Sequence, residues 1–376
     1  MAQHVGNLLQ RRAAGEQAVG HRVAQQVLSR AGLSVAVAPP RANGTGQPDV
    51  RAYALNAASV RLLESVKVWP ALPADARTAV HDMRIEGDAP GAVLDFSAWA
   101  QGVGELAWIV DAAELESALS TAVRFAPHVR LCDPDEMQAS LQVVAEGRDS
   151  PARQRLGVTT RSHPYGHHGL ATRVVADVAH AGLARQWFRS PDVLALLPFD
   201  RPQAARSYGV VWSLPQDRAE ALQRAPAEVF ESALADATGL AAGRLTLAGE
   251  RALWPLSLAR SDPLCGRGWV LVGDAAHRVH PLAGQGLNLG LADVASLAQV
   301  LSSREPWRAV GDERLLRRHV RAREGPVLAM ARLTDGLLGL FSSRDPVLRE
   351  LRNHGLSLLN QLTPLKRALT SRAIDG

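Results

Sequence analysis

The sequence predicts an α/β protein of two interleaved parts: a parallel-sheet part assembled from separated segments, and a mainly antiparallel sheet inserted into it, with helices at the C-terminal end. Three observations predict this. The run Trp269-Val270-Leu271-Val272 has the length and branching of a buried strand, and Leu289, Leu291, Val294, Leu297 and Leu301 follow at helical spacing. The first seventy residues show the same succession of helix and strand, whereas residues from about Tyr165 to Trp254 read as closely spaced strands with turn residues between them. A chain of 376 residues, 47% of them hydrophobic, suffices for two parts with a sizeable core.

Taken in order, Val23, Val27, Leu28 and Ala31 recur at helical spacing. Gly32 is placed to cap that helix, and Leu33 to Val37 reads as the strand after it. A second helix carries Val60, Leu62 and Leu63. Met83 to Phe96 alternates like a hairpin of a half-exposed sheet, and Asp111 to Val123 is an amphipathic helix. Strands at Val129-Arg130-Leu131 and Leu141-Gln142-Val143-Val144 follow it. The inserted sheet holds one helix, near Ala219 to Ala237, with Gly239 to stop it. The boundaries fall at 1–75, 106–160 and 258–330 for the first part, 76–105 and 161–257 for the insertion, and 331–376 for a C-terminal helical region.

The stretch from Gly268 to Leu301 carries the chemistry. Gly273 lets the backbone turn sharply at a strand end, which puts Asp274 where open α/β sheets bind ligands; its carboxylate can accept hydrogen bonds from sugar hydroxyls. After Pro281 come Gly284, Gln285, Gly286, Leu287 and Asn288, small residues that let a ligand approach the start of a helix. The ordered pattern GDAAHxxxPxxGQGxNxGxxD resembles the second flavin signature of the FAD-dependent aromatic hydroxylases, and within them is most similar to the ubiquinone-biosynthesis hydroxylases. The resemblance implies a para-hydroxybenzoate-hydroxylase-like fold, with a Rossmann-like FAD-binding domain of discontinuous segments and an inserted antiparallel substrate domain. Against such a helix start, free amides and the positive dipole end would favour the negative charge of a reduced isoalloxazine.

Other stretches resemble the same family in the same order. Asp49-Val50-Arg51-Ala52-Tyr53-Ala54-Leu55 resembles its D-x-R-x-x-A-L segment, which implies a place for Arg51 near the flavin phosphates. Ala145 to Arg153 resembles A-D-G-x-x-S-x-x-R, with Glu146 in place of the aspartate. Ala184 to Phe188, Leu194 to Pro198 and Val211 to Ser213 resemble substrate-domain strands, and Arg314 to Gly376 resembles the C-terminal helices. At the amino end the family's G-x-G-x-x-G is matched only by Gly15 and Gly20, with Gln17 at the middle position. An acidic ribose ligand is also missing, since Ala38-Pro39-Pro40 stands where it would be. The departure fits either an altered amino terminus or a weakened grip on the dinucleotide.

The activity implied is an FAD-dependent monooxygenase acting on a polyprenylated aromatic ring in ubiquinone biosynthesis, with NAD(P)H as reductant and O2 as co-substrate, through a flavin C4a-hydroperoxide. The flavin would carry the reaction, so no side chain is singled out as catalytic. Other enzymes of the flavin fold, such as a phenol hydroxylase, halogenase or prenyl reductase, and a non-catalytic assembly partner are the rival readings. Trp187, Tyr208, Trp212, Trp254 and Pro255 are candidates for the substrate pocket; each aromatic is equally well read as core.

The net charge of +5 comes almost wholly from arginine, since Lys67 and Lys366 are the only lysines, and it is spread among acids rather than gathered for nucleic acid. Arg317, Arg318, Arg321 and Arg323 are the densest cluster, either a solvated helix face or a contact for anionic lipid. His163, His167 and His168 fall in a Pro-Gly loop, and His277 and His280 lie beside Pro281; neither group has the spacing of a metal site. Two cysteines, Cys132 and Cys265, and no signal peptide suggest a reducing cytoplasm. No apolar run reaches membrane-spanning length, so a lipophilic substrate implies peripheral contact with the inner membrane or a partner in a biosynthetic complex.

Overall fold

The computed structural model describes residues 14–37, 49–88, 91–132, 139–279 and 285–342. Helix α1 (Ala14–Arg30) ends as the sequence reading expects: Gly32 takes a left-handed conformation with φ of 79°, and Leu33 N–H returns to Leu28 O at 3.2 Å. Strand β1 (Val35–Val37) follows, then β2 (Ala52–Leu55) and α2 (Ala57–Ser65), whose first turn is capped by the Asn56 side chain accepting from Ser59 N–H. β2 lies outside the elements expected from the sequence. Its Ala-Tyr-Ala-Leu run is four residues long, too short to show a period by itself.

Strands β3 (Arg77–Val80), β4 (Asp82–Glu86) and β5 (Val93–Ser97) come next, β4 and β5 forming the expected antiparallel hairpin. A short helix α3 (Ala98–Gln101) leads to β6 (Ala107–Asp111), which pairs antiparallel with both β2 and β3. Asp111 caps α4 (Ala112–Arg124) by accepting from Ala113 and Glu114 N–H, and β7 (Val129–Leu131) then pairs parallel with β1. Strand β8 (Gln142–Val144) and the short helix α5 (Pro151–Arg155) complete this stretch.

The large sheet has nine strands. β9 (Thr159–Ala176), β10 (Leu183–Arg189), β11 (Asp192–Phe199) and β12 (Ser207–Pro215) precede helices α6 (Gln216–Arg224) and α7 (Ala227–Thr238). β13 (Leu245–Leu247) and β14 (Ala252–Asp262) follow. With a last strand, β17 (His277–Arg278), the order is β17-β14-β9-β12-β11-β10-β4-β5 with β13 on β9, all antiparallel except β10 with β4. β15 (Cys265–Gly266), β16 (Trp269–Leu271), β17, α8 (Gln285–Ser302) and α9 (Glu313–Ser342) close the described chain. β16 pairs parallel with β8, and one apolar cluster of Leu28, Val270, Leu297 and Leu315 joins α1, β16, α8 and α9.

Three expectations are corrected. The single helix at Ala219 to Ala237 is two helices, because Pro226 lacks the N–H that would continue the first; Gly239 does stop the second, with φ of 57°. His163, His167 and His168 lie within strand β9 rather than in a loop. β14 pairs with β9 across Pro164, which falls beyond the last residue paired to β12, so its missing N–H breaks no second ladder. The third concerns the pocket aromatics. Trp187, Tyr208 and Trp212 lie on the sheet face covered by α6 and α7, packed with Leu170, Phe230 and Leu234 and almost wholly buried.

Replacing Trp212 with Ala is therefore expected to cost about 3–5 kcal/mol in urea unfolding, with ligand affinity per folded molecule unchanged. A stable variant that has lost affinity would return Trp212 to the pocket.

Candidate active site

The site grows from a turn that a single buried acid holds in shape. β16 ends at Leu271, Gly273 adopts φ of 60°, and a one-turn 3-10 segment, Gly273–Ala275, delivers the chain to β17. Asp293, in the third turn of α8 and 2% exposed, reaches back to this turn. Its Oδ2 accepts from Gly273 N–H at 2.9 Å and meets His277 Nε2 at 2.7 Å, while its Oδ1 accepts from Arg323 Nε of α9 at 2.8 Å. Burial pushes this carboxyl up, but His277 and Arg323 overcome that and hold it far below the usual carboxylate range. Gly290 and Gly273 meet backbone to backbone: a Cβ on Gly290 would lie 3.4 Å from Gly273 Cα.

Asn288 is the second fastening. Its Oδ1 accepts from Asn56 N–H at 3.1 Å and Ser59 Oγ at 2.7 Å, and its Nδ2 donates to Ala54 O at 2.8 Å. The start of α8 is thereby tied to the end of β2 and the start of α2. Arg173 of β9 extends the connection to the large sheet, pairing with Asp111 at 3.0 Å and donating to Val50 O at 3.2 Å.

Between these fastenings lies a shallow cleft, open to solvent and lined by Gly20, Gly147, Gly273, Asp274, Gly286 and Leu287. Asp274 is half-buried in it, and no hydrogen bond or ion pair engages its carboxylate among the described residues. Enclosure raises the carboxyl above its ordinary range, against the pull of His277, Arg278, Arg148 and Arg51. Such a group suits a ligand that brings its own hydroxyl donors. Gly20 and Gly286 leave open space where a Cβ would stand, so the walls on both sides admit a flat or extended ligand close to the backbone. These features fit FAD.

The predicted residues fall as follows. Gly15 and Gly20 lie within α1 rather than in a loop ahead of it, because the Ala-, Glu- and Gln-rich sequence around them favours helix. Arg51 is fixed by Asp49 at 2.6 Å and lies within electrostatic reach of Asp274. Gln285, Gly286 and Leu287 form the first turn of α8, with Leu287 also in the core. Pro281 and Gly284, like His280 and the Ala38-Pro39-Pro40 segment, lie outside the described residues. Trp254 is half-buried, its ring over Gly169, and Pro255 O accepts from Arg148 Nη2 at 2.8 Å. Glu146 turns inward to Ser150 Oγ at 2.7 Å and Ala152 N–H at 2.8 Å, holding its own loop.

Sequence reasoning gave Asp293 no role, although it closes the quoted pattern, placed His277 only in the turn, and grouped Arg323 with a solvated or lipid-facing arginine cluster, whereas Arg323 turns inward to Asp293. A buried ion pair between a helix and a distant helix leaves no periodic signal.

A flavin-binding aromatic-hydroxylase fold is the class these features define. A family profile described as an FAD binding domain matches residues 95–332, nearly two thirds of the chain. The chain belongs to this family, the FAD-dependent monooxygenases. It is 30% identical over 359 residues to the 3-demethoxyubiquinol 3-hydroxylase of Escherichia coli, covering 87% of this chain and 88% of the relative. With the ubiquinone hydroxylase UbiL of Rhodospirillum rubrum it shares 28% identity over 371 residues, covering 92% and 85%. Among solved structures, p-nitrophenol 4-monooxygenase of Pseudomonas putida superposes with a TM-score of 0.72 at 16% identity, covering 94% of this chain and 95% of that one. HpxO of Klebsiella pneumoniae, complexed with FAD and uric acid, gives 0.69 at 16% identity, covering 96% and 95%.

Two predictions follow from this geometry. Asp274→Ala should weaken flavin affinity tenfold or more, the loss of charged hydrogen bonds worth about 1.5–3 kcal/mol. The ligand-free protein should keep its stability, because the lost carboxylate has no partner there among the described residues. Unfolding of the variant with unchanged affinity per folded molecule would make Asp274 a turn residue.

His319, buried on α9 beside Ser296, is held neutral by burial, which lowers its pKa to about 4. The unfolded chain therefore binds a proton first, and stability present above pH 6.5 is lost as pH falls toward 4, at roughly 1.4 kcal/mol per unit. His319→Gln should reduce the slope of unfolding free energy against pH in that window by up to one proton. An unaltered slope would assign the proton to other histidines.

Proposed function

We propose that the protein hydroxylates a polyprenylated aromatic ring in ubiquinone biosynthesis, using NAD(P)H and O2. The observation that carries this reading is the cleft itself: an Asp274 with no partner among the described residues, glycine walls and a turn locked by Asp293, in a chain two of whose relatives over most of its length are named as a ubiquinone hydroxylase and a demethoxyubiquinol hydroxylase. Bound FAD would supply hydride acceptance and oxygen activation.

The chain's own residues bind, orient and enclose. Asp274 accepts hydroxyl donors from the sugar-like chain of the cofactor. The first turn of the 18-residue α8 presents free amides to negative charge at the ring system. Asn288 and Asp293 fix that helix start from two sides, so the amides need not reorganise when charge arrives. Trp254, on the sheet face away from α6 and α7, supplies a flat apolar wall for an aromatic ring.

No helix among the described residues is long and apolar enough to cross a membrane. A prenylated substrate would then be reached by peripheral contact or through a partner in a biosynthetic complex. Arg317 and Arg318 pair with Glu313 and Glu305 at 2.6 Å each, which favours the solvated-face reading for those two.

A second reading has an observation of its own. Gly15, Gln17 and Gly20 are helical, so the dinucleotide grip expected of a glycine loop is not found at those positions, which favours a weakly binding relative acting as an assembly partner. FAD should co-purify below one equivalent, and an intact family amino terminus grafted over the first 40 residues should raise occupancy; a full complement in the parent would refute the weak-grip argument. Flavin-loaded protein should consume O2 with NAD(P)H and yield a hydroxylated prenyl phenol. Loaded protein that gives no product with any prenylated phenol would support the non-catalytic reading.

A further inference from the structure

Three guanidinium groups gather beside Asp274 with no carboxylate partner of their own among the described residues. Arg153 donates to Ala275 O at 3.1 Å and Arg148 O at 2.7 Å, and Arg148 donates to Pro255 O at 2.8 Å. Main-chain oxygens therefore position them without neutralising them. Arg278 is the exceptional member. β17 pairs it with Ala259 of β14, fixing its backbone. Its Nε is shut off from solvent with no acceptor among the described residues, and among them its Nη2 reaches Ser162 Oγ at 3.4 Å and Ser257 Oγ at 3.3 Å. The charges nearest to it are Arg148 and Arg153, of like sign, and the carboxylates of Asp274 and Asp149. A half-buried cation beside two others, with its Nε occluded and unsatisfied and no carboxylate in hydrogen-bond contact among the described residues, gains from an anion that completes it.

We propose that Arg278 and Arg148, with the hydroxyls of Ser162 and Ser257, form a subsite for a phosphate group of a dinucleotide. The inference rests on the flavin reading of the neighbouring cleft. A phosphate has oxygens enough for two guanidinium forks and two hydroxyls, whereas a phenolate offers one. Its position also suits a dinucleotide: Asp274 accepts sugar hydroxyls and repels phosphate, so a phosphate one sugar away needs cations there. FAD and the nicotinamide reductant both carry this chemistry.

The test compares the parent with Arg278→Gln and Arg148→Gln, with folding checked by circular dichroism and thermal unfolding. FAD and riboflavin are titrated by flavin fluorescence, and NADP⁺ and NAD⁺ by calorimetry on FAD-saturated protein. At least one phosphate-bearing probe should bind tenfold or more weakly, with riboflavin within twofold of the parent. A loss confined to FAD assigns the subsite to the flavin; a loss confined to the nicotinamide dinucleotides assigns it to the reductant. The proposal is overturned if all dinucleotides bind both variants within twofold of the parent, or if riboflavin is lost equally with FAD. Should a Gln variant fail to fold, Arg278→Lys keeps the charge without the fork and should show the same loss in smaller measure; parent-like phosphate affinity there overturns the proposal. Oxygen uptake by the parent is read separately. A parent that forms no product while the variants lose dinucleotide affinity ends the hydroxylase reading and leaves the subsite standing.

Discussion

The buried carboxylate of Asp293 is the constraint on which the site depends. It joins the main chain of the Gly273 turn, the His277 ring and the Arg323 guanidinium, three groups from the turn after β16, from β17 and from α9. Removing one partner from such a buried set leaves an uncompensated charge, at a cost of roughly 3–5 kcal/mol. Asp274, one residue beyond the anchored amide, needs no partner of its own because its backbone is already fixed. The same bonds hold α9 against α8, so a helix far along the chain helps define a turn that binds the ligand.

Much of the fold was legible in the sequence, and the reason is periodicity. Helix α1 with its Gly32 cap, the β4–β5 hairpin and α4 show a period of 3.6 or two over enough residues to register, while β7, β8 and β16, three residues each, are read from short runs rich in Val and Leu. The exceptions are local. β2 is four residues long, Pro226 divides what reads as one helix, and Pro164 and Gly166 disguise an 18-residue strand as a loop. For β2 and β9 tertiary pairing, rather than local preference, decides the outcome, whereas at Pro226 the missing N–H decides it locally.

The candidate site was legible where a motif fixes the backbone and illegible where side chains meet across the fold. The turn at Gly273 and Asp274 and the start of α8 stand where the quoted pattern puts them. The aromatics were harder, since a buried Trp in a strand has the same neighbours in sequence whether its face meets a ligand or a helix. Trp187, Tyr208 and Trp212 share a face under α6 and α7, and Trp254 lies on the other, a distinction made by the sheet's pleat and not by residue type.

Strands β9 and β14 pair from Ala171 and Ala252 to Thr159 and Asp262, and β17, which follows the Asp274 turn, is paired onto the far part of β14. The two parts of the molecule are therefore joined by a hydrogen-bonded ladder rather than a flexible linker. Any relative movement must flex that ladder, and the register shift between Pro255 and Ser257 is the one place where its regular pairing is interrupted. The molecule is built less like a jaw on a hinge than like a leaf spring, in which the wall carrying Trp254 and Arg278 can yield slightly but cannot swing away from the Asp274 turn.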